Sequence, residues 1–166
     1  MDKVKLSHVI YTFGTGLFAG LLYAFQQGVI PMLNTLTGPE YAKVEQGLIS
    51  NLDAFPAGVI VVATISMLLP LYPLIKLWGQ RQTTFWKLTF VGWLLFCFGV
   101  SIFTIVLNVP INQYVQSWDV AHPPADWMVA RDNWNSLNVV RTPLNFISFL
   151  LFIAAAFHYD ELKSRK

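Results

Sequence analysis

The sequence predicts an all-α integral membrane protein, a four-helix bundle with an extracytoplasmic helical cap. Of its 166 residues, 55% are hydrophobic and only 12% are charged, whereas soluble domains usually carry about 25% charged residues. Four long apolar stretches lie near residues 8–30, 57–78, 86–107 and 137–158. Each approaches the roughly 20 residues that a helix needs to cross the hydrocarbon core. These stretches are too long and too uniformly apolar to be the alternating strands of a membrane barrel.

We expect residues 1–166 to form one membrane domain, with an outer cap built from residues 31–56 and 108–136. Most of the basic residues flank the same ends of the apolar stretches: Lys3, Lys5, Lys76, Arg81, Lys87, Lys163, Arg165 and Lys166. The positive-inside rule therefore places both termini in the cytoplasm and the cap on the other side of the membrane. The net charge is a modest +2, and no basic run interleaved with aromatics appears. The composition thus argues against nucleic-acid binding.

The first apolar stretch carries small residues at a spacing of four, at Gly16, Gly20, Ala24 and Gly28. Residues at this spacing lie on one helix face, and small ones let helix backbones approach closely in lipid. The face has three interpretations. It packs within the bundle, forms a seam between copies in a homo-oligomer, or leaves a narrow space for a ligand.

The first outer segment is expected to be an amphipathic helix. Thr37-Gly38-Pro39-Glu40 is typical of a helix start. Apolar residues then recur at helical spacing: Tyr41, Val44, Leu48, Leu52 and Phe55. Because this segment carries few cations, we expect it to cap the bundle rather than to bind anionic lipid. The third membrane helix is expected to end at Pro110, which cannot continue regular helical hydrogen bonding.

Polar residues gather between the third and fourth apolar stretches and continue into the fourth. Six of them are spaced three or four apart, which predicts one polar stripe on a continuous helix: Arg131, Trp134, Asn138, Arg141, Asn145 and Ser148. Arg141 lies several residues inside the apolar run, where a charge is expensive and suggests function. Its side chain either snorkels outward or has a buried carboxylate partner. The available carboxylates are Asp119, Asp126, Asp132 and Asp53.

The remaining polar residues allow several interpretations. His122 stands between Asp119 and Asp126, but without a second histidine nearby this spacing is a weak metal pattern, so we expect no metal site. The ionisation range of histidine also suits a general base. Asn108 and Asn112 either bond to freed carbonyls at a helix end or hold a substrate oxygen in a pocket.

These residues carry a resemblance to a known family. The run from Asn108 to Asn112, followed by Trp127, Arg131, Trp134, Asn138 and Arg141-Thr142, resembles the signature of the anthrone oxygenase-like family. This family consists of small four-helix integral membrane proteins. The residues from Gly16 to Gly20, with Phe25 and Pro31, resemble its first helix. Anthrone oxygenases of this family convert an anthrone to an anthraquinone with dioxygen.

The resemblance implies a membrane oxidoreductase for a small lipophilic aromatic substrate, with dioxygen as co-substrate and no cofactor. A deprotonated anthrone can itself reduce oxygen, so the protein needs an apolar slot, a base and a positive group. The candidate catalytic residues are Arg141 and Arg131 for the oxyanion, and His122 or Asp126 for the proton. The candidate substrate-binding residues are Asn108, Asn112, Trp127, Trp134, Asn138 and Asn145. Two other functions stay open: a non-catalytic binding or transport protein for a small hydrophobic molecule, and a structural membrane subunit.

Overall fold

The computed structural model describes residues 2–54 and 58–162, without the side chains of residues 52–54. This part of the chain is helical and contains no strand. The five main helices are α1 (Lys3–Leu33), α2 (Gly38–Ala54), α3 (Val59–Lys76), α4 (Thr84–Gln116) and α5 (Trp127–Phe157). All of them except α2 are long and apolar enough to cross a membrane. The predicted all-α membrane bundle is therefore confirmed.

Two helices extend well beyond their apolar stretches. α1 begins at Lys3, where the Asp2 side chain accepts a hydrogen bond from the first turn, and ends at Leu33. α5 begins at Trp127 rather than near residue 137. Its polar first turns therefore precede the apolar stretch but belong to the same continuous helix. Much of the segment that the sequence assigns to the outer cap is accordingly the end of α4 and the start of α5.

The prediction that Pro110 ends the third membrane helix is wrong. α4 contains two π-helical segments, Cys97–Ile102 and Thr104–Asn108, and then continues as an α-helical segment, Val109–Gln116. Pro110 lies in the first turn of that last segment. A proline is well tolerated in the first turn of an α-helical segment. The π-helical turns, which are often found at functional sites, thus let the helix pass through the proline.

Helix packing is most extensive between α4 and α5. A Cβ atom on Gly92 would lie 2.8 Å from the ring of Phe152 and 3.3 Å from the carbonyl oxygen of Ser148. The Ser148 hydroxyl donates a 2.8 Å hydrogen bond to the carbonyl of Gly92. α5 also packs against α1, which in turn packs against α3. The small residue at position 92 is therefore what lets the two backbones approach.

The small-residue face of α1 serves packing within the bundle at one position. A Cβ on Gly16 would lie 2.7 Å from the ring of Phe149 on α5. Gly20 and Gly28 have no neighbouring atom within 4 Å of such a Cβ. A homo-oligomer seam through Gly16, Gly20, Ala24 and Gly28 stays a prediction.

α2 covers one end of the bundle, which we call the cap end. Its buried face contributes to an apolar cluster with the ends of α1, α4 and α5: Ile30, Leu33, Tyr41, Ala42, Ile49, Val115, Trp118, Ala130 and Trp134. The side-chain amide of Gln46 donates hydrogen bonds to the carbonyls of Val115 and Trp118, at 2.9 and 3.0 Å. α2 therefore packs as a capping helix, and its extracytoplasmic location stays a prediction.

The opposite end, which we call the terminal end, gathers both ends of the described chain. The Tyr159 hydroxyl donates to the Asp2 carboxylate at 2.9 Å. The backbone N–H of Thr84, at the start of α4, donates to the Glu161 carboxylate at 2.9 Å. The N-terminus, the connection before α4 and the C-terminal segment therefore lie on one side. That this side is cytoplasmic stays a prediction.

We expect Gly92→Ala to destabilise the protein, because the fully buried Phe152 ring and the Ser148 carbonyl leave no room for a methyl group. Overpacking of this kind costs about 1–3 kcal/mol. Gly47→Ala is the matched control, since a helical glycine with no atom within 4 Å of its Cβ position gains only helix propensity. Thermal unfolding in detergent should show a lower midpoint for Gly92→Ala alone. Equal midpoints for the two variants would contradict the packing described here.

Candidate functional site

A cavity of about 400 Å³ lies beneath α2, between the cap-end halves of α1, α3 and α4. Its walls are mostly apolar and include Phe18, Leu22, Phe25, Ile60, Met67 and Ile105. Polar side chains also reach it, among them Glu45, Ser101, Thr104, Asn108, Asn112 and Arg141. A mostly apolar cavity with a few convergent polar groups is the usual form of a small-molecule site.

Arg141 of α5 is buried in the cavity wall, where neutral groups hold it. Its Nε and Nη2 atoms donate to the Asn138 side-chain oxygen at 2.9 and 2.7 Å, and Nη1 donates to the Thr104 hydroxyl at 3.1 Å. The guanidinium carbon lies 5.9 Å from the centre of the Trp134 ring. Because a guanidinium carries five N–H donors, these bonds leave one N–H on each terminal nitrogen to donate to a ligand.

Asn138 orients Arg141 instead of lining the cavity. Its amide nitrogen donates to the Trp134 carbonyl one turn earlier, at 2.9 Å, which aims its oxygen at the guanidinium. The polar stripe predicted for this helix faces the interior from Trp134 onward, since Trp134, Asn138, Arg141, Asn145 and Ser148 are all buried, whereas Arg131 is only partly buried. The spacing of these residues in the sequence therefore predicted their burial correctly.

Glu45 of α2 is the carboxylate that interacts with Arg141 across the cavity. Its side chain is 1% exposed, and its Oε2 atom is buried without a hydrogen-bond partner. Burial raises the pKa of Glu45 to about 7, and the positive charge of Arg141 partly opposes that rise. Among the described residues, no ion pair within 4.0 Å joins the two groups. They therefore share the cavity without direct contact.

Three of the four carboxylates that the sequence suggests as partners of Arg141 are engaged elsewhere, so the prediction is wrong for Asp119, Asp126 and Asp132. Asp119 pairs with His122 at 3.1 Å, Asp126 accepts from the Tyr114 hydroxyl at 2.9 Å, and Asp132 pairs with Arg131 at 2.9 Å. These three aspartates are all exposed at the cap end. The side chain of Asp53 lies outside the described residues.

Sequence reasoning missed Glu45 because it placed the apolar face of α2 on Tyr41, Val44 and Leu48. The buried face is instead formed by Tyr41, Glu45 and Ile49, at a spacing of four. Val44 and Leu48 lie at its edge and are half-buried. The spacing of four that places Glu45 on the same helix face as Tyr41 and Ile49 could have predicted its burial. A search for apolar residues at helical spacing misses it, because such a search assigns every charged residue to the solvent side.

Asn108 lines the cavity with a buried side-chain amide that has no hydrogen-bond partner. It is 1% exposed, and neither its amide nitrogen nor its oxygen has a hydrogen-bond partner in the structure. A buried, unpaired amide costs about 1–3 kcal/mol, which a ligand with donor and acceptor groups would recover. Asn112 is already engaged, because its oxygen accepts from the Trp134 indole at 3.0 Å. Asn108 and Asn112 were expected either to bond to free carbonyls at a helix end or to hold a substrate oxygen. The first of these roles is excluded because α4 continues past both residues.

The other predicted site residues lie away from the cavity. His122 and Asp126 are exposed on the connection before α5. The Arg131 guanidinium lies over the Trp127 ring, at 5.2 Å, outside the cavity. Asn145 is fully buried and unpaired but does not line the cavity. Their predicted roles in binding or catalysis stay predictions.

Within residues 2–54 and 58–162, no group of three or more His, Cys, Asp or Glu side chains is arranged to hold a metal ion. Among the described side chains, the titratable groups that line the cavity are one carboxyl and one guanidinium, Glu45 and Arg141. The site can therefore exchange a proton at one wall and stabilise negative charge at another.

A family model described as anthrone oxygenase matches residues 50–151 of the chain, which is more than half of its length. The match includes Asn108, Trp134 and Arg141 of the cavity, and Glu45 precedes it. Comparison with curated proteins and with solved structures gives no match.

We expect Asn138→Leu to destabilise the protein by about 1–3 kcal/mol or more, because it leaves two N–H groups of a buried cation unpaired. The double variant Asn138→Leu, Arg141→Leu should be closer to the wild type, since it removes both polar partners together. Thermal unfolding in detergent gives the comparison. A double variant no more stable than Asn138→Leu would show that this contact is not what satisfies the buried charge.

Proposed function

Because the chain belongs to the anthrone oxygenase family, we propose that it oxidises a small lipophilic anthrone to an anthraquinone with dioxygen, within the membrane. One observation carries this proposal: a carboxyl and a guanidinium, Glu45 and Arg141, lie on different walls of one mostly apolar cavity and do not touch. The proposal needs no cofactor, because the deprotonated substrate is itself the reductant.

Glu45 is the proposed base. As a carboxylate it takes a proton from the CH₂ group opposite the anthrone ketone, and the electron pair delocalises onto the ketone oxygen. The two N–H groups of Arg141 that are not used by Asn138 or Thr104 donate to that oxyanion. Hydrogen-bond donors fixed in a site that excludes water stabilise such charge strongly. A base with a pKa of about 7 is well matched to neutral pH.

Oxygen chemistry then follows at the same carbon. The carbanion gives one electron to dioxygen, and the two radicals combine into a C–O bond. The peroxide takes the proton back from Glu45. Loss of the second proton from that carbon to Glu45 breaks the O–O bond, forms the second carbonyl and releases hydroxide, which takes the proton and leaves as water. One anthrone and one dioxygen thus give one anthraquinone and one water.

The rest of the cavity holds the rings and their oxygen substituents. Phe18, Leu22, Phe25 and Met67 offer an apolar slot. Asn108, with an unpaired donor and an unpaired acceptor, is the proposed partner of a substrate hydroxyl or carbonyl. Asn112 lines the cavity and its oxygen accepts from the Trp134 indole, so we propose that it holds that ring in place, and its direct binding of substrate stays a prediction. His122 and Asp126 are exposed, so we assign the base to Glu45 instead.

We expect Glu45→Gln to lower kcat by about 10²–10⁴-fold, the usual contribution of a positioned base. Arg141→Gln should lower kcat by about 10²–10³-fold, because it removes the oxyanion donors. Glu40→Gln makes the same change at an exposed position of the same helix and should leave kcat unaltered. Quinone formation by purified protein in lipid nanodiscs, above the protein-free rate, is the readout. Turnover of Glu45→Gln at the wild-type rate would rule out the assigned base.

The turnover of the wild type should rise with pH through about 7. Burial raises the pKa of Glu45 to about 7, so below that pH the group is protonated and cannot accept a proton, and above it the rate should level off. Rates are taken after subtraction of the spontaneous oxidation at each pH. An inflection near the ordinary carboxyl value of about 4.3, or none at all, would be incompatible with a buried Glu45 as base.

A further inference from the structure

Access to the cavity is blocked at the cap end by the described part of α2. Its apolar face joins the cluster at the ends of α1, α4 and α5. Gln46 donates to the carbonyls of Val115 and Trp118, and Gln116 donates back to the Gln46 carbonyl at 3.1 Å. Opening this end would break these bonds and expose the cluster to water, which costs roughly 25 cal/mol per Å² of apolar surface.

Within the part of the chain that the structure describes, side-chain hydrogen bonds join α3 and α4 in the terminal half of their seam. There the Trp86 indole donates to the Leu74 carbonyl at 2.9 Å, and the Trp93 indole donates to the Met67 carbonyl at 2.8 Å. Beyond Met67, towards the cap end, the cavity takes the place of such contacts and both helices line it. The two helices therefore separate at the level of the cavity.

Two residues that line the cavity where α3 and α4 separate are also exposed on the protein surface. Ile60 of α3 is 57% exposed and Ile105 of α4 is 61% exposed, although both line the cavity. Thr64, one turn beyond Ile60, likewise lines the cavity and is exposed. Since α3 and α4 are membrane-spanning helices, the surface at these positions faces the hydrocarbon core. The mouth of the cavity thus opens sideways.

We infer that the gap between Ile60 and Ile105 is a lateral portal, through which a lipophilic ligand passes from the bilayer into the cavity. An apolar polycycle concentrates in hydrocarbon, and a path past isoleucine side chains spares it any return to water. The ketone or hydroxyl oxygens of the ligand would then meet Asn108 and Arg141 at the inner walls. The identity of this ligand as an anthrone rests on the proposed function, whereas the route does not.

The first test narrows the mouth of the cavity and measures the rate of turnover in nanodiscs. Ile60→Trp and Ile105→Trp should each lower kcat/KM by about tenfold or more, with a smaller effect on kcat, because they slow association. Val61→Trp and Val106→Trp place the same bulk on neighbouring lipid-exposed positions that do not line the cavity, and they should behave as the wild type. Equal kcat/KM in the mouth and control variants would overturn the portal.

A second test does not depend on turnover. Azidoanthracene dissolved in the bilayer is photoactivated, and labelled residues are mapped by mass spectrometry. In the wild type and Val106→Trp, we expect labelling of the buried cavity residues Phe18 and Leu22. In Ile105→Trp, that labelling should fall by about tenfold or more, as expected for a slowed association step.

Equal labelling of Phe18 and Leu22 in Ile105→Trp and Val106→Trp, or no labelling of them in the wild type, would overturn the portal. The portal would also be overturned if a sulfonated azidoanthracene supplied in water labelled Phe18 and Leu22 as strongly as the probe dissolved in the bilayer. Normal cavity labelling with no quinone formation would instead reject the proposed oxygenase and leave the lateral route standing.

Discussion

The buried charge of Arg141 is the constraint on which the cap half of the molecule depends. Burying a guanidinium inside a membrane-spanning helix is costly, and hydrogen-bond acceptors and an opposite charge nearby offset part of that cost. Asn138, one turn earlier, and Thr104, on α4, accept hydrogen bonds from it. The opposite charge comes from Glu45 on α2, so the cap helix is an electrostatic part of the bundle as well as a cover. Because none of these groups fills the space between them, the charge that is costly for folding stays available to a ligand.

The two halves of the bundle are built differently, and the difference creates the site. In the terminal half, Gly92 lets α4 and α5 approach closely enough for a serine to bond to the facing backbone. In the cap half, α4 changes to π-helical turns, which bring Thr104 to Arg141 and place Asn108 on the cavity wall. The tightly packed half fixes the relative positions of the helices. The looser half can therefore hold unpaired polar atoms and empty space without losing the fold.

The sequence was sufficient for the bundle and for one wall of the site. The spacing of polar residues on α5 predicted the inward stripe through Arg141, because a single regular helix carries it. Glu45 escaped prediction, since a charge on an amphipathic helix is normally assigned to solvent and its partner lies almost a hundred residues away in the chain. Pro110 was misleading because π-helical turns leave no mark in hydrophobic periodicity. His122 attracted attention by its residue type, whereas only the three-dimensional arrangement shows that it is exposed. Residues that meet through tertiary packing are thus the part that local patterns cannot supply.

The central claim is that this cavity lets a deprotonated anthrone react directly with dioxygen. Its most direct test is isotopic: purified protein in nanodiscs is given anthrone and ¹⁸O₂ in ordinary water, and the quinone is analysed by mass spectrometry together with oxygen uptake. The account predicts one dioxygen consumed per quinone, one ¹⁸O atom in the new carbonyl, and a rate above that of protein-free nanodiscs. A rate no higher than that background, or a new carbonyl oxygen derived from water during protein-dependent turnover, would contradict it.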